Sequence, residues 1–268
     1  MLRTIESLAG YSIQATDGNI GHITDVYFDD NTWCARYLVV DTGTWLSSRK
    51  VLISPISINK ANWEDKLLSV SITKDQVKNS PNINTQKPLC RQQEVQLLEY
   101  YGYPYYWGGD GMWGSGLYPH MMLTDYNGLI SPSDDEDSEP QESTKAEQIK
   151  DDDVHLRSCQ VITGYQIHAT DGDIGHIQGF LIDEDTWVIR YMIVNTSNWW
   201  LGHQVLIPPY WIDDVSWTDA KGLLNLTRQA VKDAPPYNSN MQMDRKAEMY
   251  IYNHYGRPVY WMDENIKP

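Results

Sequence analysis

Ser12-Ile13-Gln14-Ala15 alternates polar and apolar residues, the period of a half-buried strand. Thr16-Asp17-Gly18-Asn19 then reads as a tight turn, because glycine takes positive φ without a Cβ penalty. A second strand is predicted over Ile20 to Phe28, and Asp29-Asp30-Asn31 turns the chain again. Trp33 to Val40 is the richest strand, apolar on both faces, and Thr42-Gly43 breaks it. Lys50 to Ile53 is a short strand ended by Pro55, and Leu67 to Ile72 reads as the last one. Thr73 is placed to cap a short helix reaching Asn79, with Pro81 after the stop. A further helix is predicted from Arg91 to about Tyr101, closed by Gly102 and Pro104. These signals predict an all-β fold with short helices, built as small antiparallel barrels, closed or nearly so.

The same order of signals returns later. Shifted by 154 residues, the chain matches itself at about 40 of 106 positions without a gap, from Leu2/Leu156 to Trp107/Trp261. Ala15-Thr16-Asp17-Gly18 meets Ala169-Thr170-Asp171-Gly172, and Ile20-Gly21-His22-Ile23 meets Ile174-Gly175-His176-Ile177. Self-similarity on this scale implies internal duplication. The expected organisation is a first module over 1–107, a linker over 108–155 and a second module over 156–268. The linker opens with a Gly/aromatic stretch, Gly108 to Gly116, and continues as an acidic run.

Charge sharpens that division. Of a formal net charge of −15, the segment from Ser131 to Asp153 carries ten acidic residues against Lys145 and Lys150. Such a composition cannot bury enough apolar surface to offset ordering entropy, so 131–153 is expected to be mobile. The remaining surface is mildly acidic and has no basic stripe, which argues against a nucleic-acid partner. No apolar run reaches the ~18 residues of a membrane span. The opening Met1 to Glu6 lacks the charged and apolar regions of a signal peptide. Cys34, Cys90 and Cys159 are sparse and unpaired in spacing, as in a reducing cytoplasm.

Candidate chemistry is thin. His22 and His176 recur beside a turn, and each is read as a strand histidine rather than a ligand. Asp17-Gly18 and Asp171-Gly172 are explained by the turn. Arg36 and Arg190 stand mid-strand among apolar neighbours, where a buried charge needs a partner. Asp29 or Asp65, and Asp183 or Asp219, are the candidates for structural ion pairs with them. With 11 Trp and 18 Tyr but only 2 Phe, the chain favours rings with a polar tip. They concentrate in Tyr100-Tyr101-Gly102-Tyr103-Pro104-Tyr105-Tyr106-Trp107 and in His254-Tyr255-Gly256-Arg257-Pro258-Val259-Tyr260-Trp261. Tyr101, Tyr103, Tyr105, Tyr106, Trp107, Tyr255, Tyr260 and Trp261 are therefore either clamps on the barrel or a protein-contact surface. No catalytic residue, cofactor or metal is expected, since no nucleophile–base pair, phosphate loop or metal-ligand spacing is present.

Gly10-Tyr11, Asp17-Gly18, Ile20-Gly21-His22-Ile23, Trp33 to Asp41, Trp45-Leu46 and Val51-Leu52-Ile53-Ser54-Pro55 together resemble the PRC-barrel domain. The equivalent string runs from Gly164 to Pro235. The family includes the cytoplasmic domain of the photosynthetic reaction-centre H subunit and the C-terminal domain of the ribosome maturation factor RimM. The resemblance implies two six-stranded PRC-type barrels, each followed by a C-terminal helix, and a bacterial, cytoplasmic scaffold that docks to proteins without catalysis. It transfers no active site. The expected partner is a protein, with the modules packing on each other or forming a homodimer. A small-ligand or metal-binding sensor is the alternative, and a reaction-centre H-like assembly role a further one.

Overall fold

Turn chemistry fixes the hairpins. In the computed structural model, which describes residues 1–85, 87–123, 154–196, 203–241 and 243–262, Asp29 Oδ1 accepts from the backbone N–H of Asn31 and Thr32 at 3.0 and 3.1 Å. Asp183 Oδ1 does the same for Asp185 and Thr186, at 3.0 Å each. The expected mobility of 131–153 lies outside the described residues.

The first half forms β1 (Leu2–Thr4), β2 (Ser12–Ala15), β3 (Gly18–Asp29), β4 (Cys34–Asp41), β5 (Lys50–Ile53), β6 (Ile58–Asn62), β7 (Leu67–Val70) and β8 (Leu89–Cys90). Its helices are α1 (Ile5–Leu8), α2 (Lys74–Asn79) and α3 (Arg91–Tyr101). The second half forms β9 (Val154–Ser158), β10 (Gln166–Ala169), β11 (Gly172–Asp183), β12 (Ile189–Asn195), β13 (Gln204–Ile207), β14 (Ile212–Ser216) and β15 (Lys221–Leu224). Its helices are α4 (Cys159–Ile162), α5 (Arg228–Lys232) and α6 (Arg245–His254). The chain is thus mostly β, with few helices. The predicted helices match α2 and α3, whereas β1, α1 and β6 were not anticipated because their runs are too short to show a period.

Two sheets result. Their main paths run β5-β4-β3-β2-β7-β6 and β13-β12-β11-β10-β15-β14. Strand order is the same in both, and registers correspond: Ser12↔His22 against Gln166↔His176, and Ser12↔Leu67 against Gln166↔Lys221. Neither path closes on itself, so closed hydrogen-bonded barrels are not what the sheets form. The pairing is not wholly antiparallel either, because β2–β7 and β10–β15 run parallel. The turn Pro55–Ser57 is the cause: it bends the chain without reversing it, so β6 continues in the sense of β5 and β7 returns parallel to β2. Gly21 and Gly175 sit at positive φ where the backbone is crowded. A Cβ on either would lie 1.9 Å from the carbonyl oxygen of Asp41 or Asn195.

Folded units do not coincide with the sequence halves. One unit gathers Met1–Ala9, Asp25–Ala35 and Arg157–Pro268; the other gathers Gly10–Thr24 and Arg36–Leu156. This differs from the expected boundaries at 107 and 156, because the opening strand and the first hairpin tip find their partners in the later sequence. In the first unit β1 pairs antiparallel with β11 (Leu2↔Asp183, Thr4↔Leu181), and Arg3 meets Glu184 at 2.6 Å. Ala35 N donates to Trp187 O, and Ile189 N to Trp33 O, both at 2.8 Å. These contacts satisfy backbone groups that a bare sheet edge would leave open.

In the second unit β4 is the anchor. Arg36 to Val40 are all buried, and a fully buried Val or Leu contributes roughly 1.5–3 kcal/mol relative to exposure. β8 pairs with the start of β9 (Leu89↔Leu156), and α3 buries Glu94, Leu97 and Leu98.

Candidate functional site

A buried charge in a β-strand must be met by something, and in the second unit Arg36 is met by the aromatic tail. Its Nη1 donates to Met112 O at 2.6 Å, and its guanidinium lies 3.6 Å from the Tyr106 ring centre and 4.6 Å from that of Trp113. Helix α3 brings the second arginine. Arg91 Nη1 donates to Glu94 Oε2 at 2.8 Å and to Tyr106 Oη at 3.1 Å, and the guanidinium packs 4.2 Å from the Trp107 ring centre. Glu94 is fully buried. The same carboxylate oxygen meets His155 Nε2 at 2.8 Å, which ties the start of β9 to α3. Burial pushes the Tyr37 phenol well above its ordinary range, and the nearby Glu94 carboxylate adds to this.

The first unit carries the corresponding set at an offset of 154. Arg190 lies 4.2 Å from the Tyr260 ring centre. Arg245 Nη1 meets Glu248 Oε1 at 3.2 Å and donates to Tyr260 Oη at 2.6 Å, and its guanidinium is 4.2 Å from the Trp261 ring centre. Tyr191 Oη donates to Glu248 Oε2 at 3.0 Å, and Tyr210 and Tyr252 share a short hydroxyl contact. Burial raises the Glu248 carboxyl, opposed by the Tyr191 hydrogen bond and by Arg245. The Tyr260 phenol is pushed up to about 12, first by burial and then by Glu248.

Cation–π contact with desolvated rings is worth up to ~2 kcal/mol each. Charge-assisted hydrogen bonds are about twice as strong as neutral ones. The arrangement therefore fastens helix and aromatic tail onto the strand, and its charges are directed at one another and at ring faces.

The aromatic candidates divide accordingly. Tyr103, Tyr106 and Tyr260 are buried; Tyr101, Trp107, Tyr255 and Trp261 are half-buried; Tyr105 is exposed, with its hydroxyl on Glu99 at 2.8 Å. All but Tyr105 are at least partly buried. Asp29 and Asp183 cap their own turns. Among the described residues no ion pair joins Arg190 to Asp183, since the strand arginine is turned to the Tyr260 ring. Asp65 and Asp219 stay in local turns, with Asn62 and Ser216. Asp17 and Asp171 do more than turn the chain: each accepts the first backbone N–H of a helix, from Lys74 at 2.8 Å and Arg228 at 2.7 Å. His22 is exposed and His176 half-buried. No group of three or more His, Cys, Asp or Glu is placed to hold a metal among the described residues.

The Gly/aromatic stretch read as linker is packed, with Trp113 and Met112 buried, because Arg36 needs their carbonyl and ring. Arg91, Glu94, Arg245 and Glu248 were missed from sequence. A signal was there: between 82–100 and 236–254 only Asn84/Asn238, Arg91/Arg245 and Glu94/Glu248 are identical.

Residues 3–77 match the family model of the PRC-barrel domain. This stretch is a PRC-barrel domain. It supplies strands β2 to β7, Arg36 and Tyr37, while Arg91, Glu94, Tyr106 and Trp107 lie beyond the match. The PRC-barrel segment also contributes to both folded units, through 3–9 and 25–35 on one side and 10–24 and 36–77 on the other. No curated protein matches the chain. No helix among the described residues is long and apolar enough to cross a membrane.

Proposed function

We propose that this protein is a non-enzymatic docking scaffold built from two duplicated PRC-barrel modules, and that it meets a protein partner through the outward face of α6. One observation carries the reading. On that helix Glu248, Ile251 and Tyr252 are buried, while Met249 and Tyr250 are 43% and 66% exposed. Large apolar side chains held out from a firmly anchored helix are the composition of an interface centre. The equivalent positions on α3 are Val95 and Gln96, so α3 does not repeat the adjacent Met-Tyr pair. The anchoring cluster supports the same reading, because it makes the helix a rigid platform, which lowers the ordering cost of binding.

The test is affinity capture from native lysate with the full chain and with a Met249→Lys/Tyr250→Glu variant. A stoichiometric protein should be retained by the unaltered chain and lost with the variant, whose melting temperature stays within about 2 °C, as surface changes usually do. Equal retention by both would remove α6 as the docking face. An enzymatic conversion or a tightly held small molecule in the purified chain would count against the scaffold reading itself.

A further inference from the structure

The exchanged opening segment sits on a seat with its own chemistry. Thr4 caps α1, accepting from Ser7 N at 3.2 Å, and places Glu6 over β11. There the strand residue is Gly179. A Cβ at that position would lie 2.0 Å from Glu6 Oε1 and 2.7 Å from Glu6 Cδ. Gly179 is not at positive φ, so space rather than backbone conformation calls for glycine. The Glu6 carboxylate is also bonded by the backbone N–H of Phe180.

The corresponding seat in the same folded unit is built the other way round. Position 25 on β3 is equivalent to 179, and it carries a carboxylate. Asp25 Oδ2 accepts from Ser158 Oγ at 2.5 Å, and Oδ1 accepts from Gln160 N at 3.1 Å. Ser158 is the cap of α4 and the counterpart of Thr4; Gln160 is the counterpart of Glu6. Each seat therefore holds one carboxylate, supplied by the turn at Gly179 and by the strand at Asp25. The Cys159 thiol is pushed up by burial first and then by the charges of Asp25 and Glu6.

Exchanging the turns would bring Glu6 onto Asp25, two carboxylates with a side chain where Glu6 needs open space. We propose that positions 6, 25, 160 and 179 form a pairing code that directs the opening turn of this chain to the β11 seat and bars it from β3. The partner that the Gly179 seat accepts is a capped Thr-x-Glu turn preceded by an antiparallel strand, and the first half of this chain supplies it. The code selects unlike halves, so it also opposes pairing between the first halves of two chains. Like charges set against one another are a recognised means of specifying partners.

The experiment uses the full chain. Gly179→Asp should speed hydrogen exchange of amides 2–8 at least tenfold and lower the melting temperature. Adding Glu6→Gln should reverse both, because Thr4 Oγ1 and the backbone N–H of residue 6 are then placed to donate to Asp as Ser158 and Gln160 do to Asp25. The mirrored pair, Gln160→Glu alone and with Asp25→Gly, should behave alike for the segment 158–162. If Gly179→Asp does not fold, folding of the Glu6→Gln/Gly179→Asp chain supports the code. Failure of both double variants to recover exchange protection or melting temperature would overturn it, as would unchanged exchange in Gly179→Asp.

Discussion

Removing the Glu94 side chain by Glu94→Ala tests the anchoring cluster directly. Glu94 has no exposed surface, and one of its oxygens holds both Arg91 and His155 at 2.8 Å. Deleting one member of a buried ion pair costs about 3–5 kcal/mol, because the remaining charge stays desolvated. Arg91 is 14% exposed, so some water reaches it and the lower end, about 3 kcal/mol, applies. At roughly 2–4 °C per kcal/mol the melting temperature should fall by about 6–12 °C. Calorimetry reads this, and near-ultraviolet circular dichroism should lose the signal of Trp107 and Trp113, whose rings pack on the two arginines. Glu248→Ala should cost less, since Arg245 is 59% exposed and the freed charge is solvated. The double variant Arg91→Met/Glu94→Leu should regain much of the loss, as apolar replacement of a buried pair is often neutral. A drop under about 2 °C in Glu94→Ala, or no recovery in the double variant, would refute the claim that the cluster fastens α3 and its tail.

Two further expectations concern tyrosine ionisation and a crowded glycine. Burial raises Tyr27, Tyr103, Tyr210 and Tyr260 to about 12, so their contribution to stability is complete below the unfolded value near 10 and is lost as pH rises from there through about 12. Absorbance titration at 295 nm should show these phenols ionising late and together with unfolding; a single normal transition near pH 10 for all tyrosines would contradict the packing of the tails. Gly175→Ala should leave the chain unfolded or lower its melting temperature by more than about 10 °C, since the new Cβ would sit 1.9 Å from Asn195 O at a backbone angle that disfavours side chains; a soluble variant with unaltered melting would show that the approach of β11 to β12 is looser than this distance implies.

Local chemistry determined the strands, turns and helices of this chain, and self-similarity determined that they occur twice in one order. Asp29 and Asp183 had to turn the chain, Thr73 had to cap α2, and Arg91 to Tyr101 had to be a helix, because each depends on neighbours a few residues away. Sequence also showed that Arg36 and Arg190 needed partners, but not which. Carboxylates were the expectation; Arg190 turns to the Tyr260 ring face, and the partners of Arg36 include the Tyr106 and Trp113 rings and the Met112 carbonyl. The parallel pairing of β2 with β7 depends on a turn that bends instead of reversing, which no periodicity encodes. The assignment of Met1–Ala9 and Asp25–Ala35 to the unit of the later sequence was likewise settled only in three dimensions. A strand of three residues has no pattern of its own, and its place is fixed by the partner edge with the right register and the right space, here Leu181 to Asp183 beside Gly179.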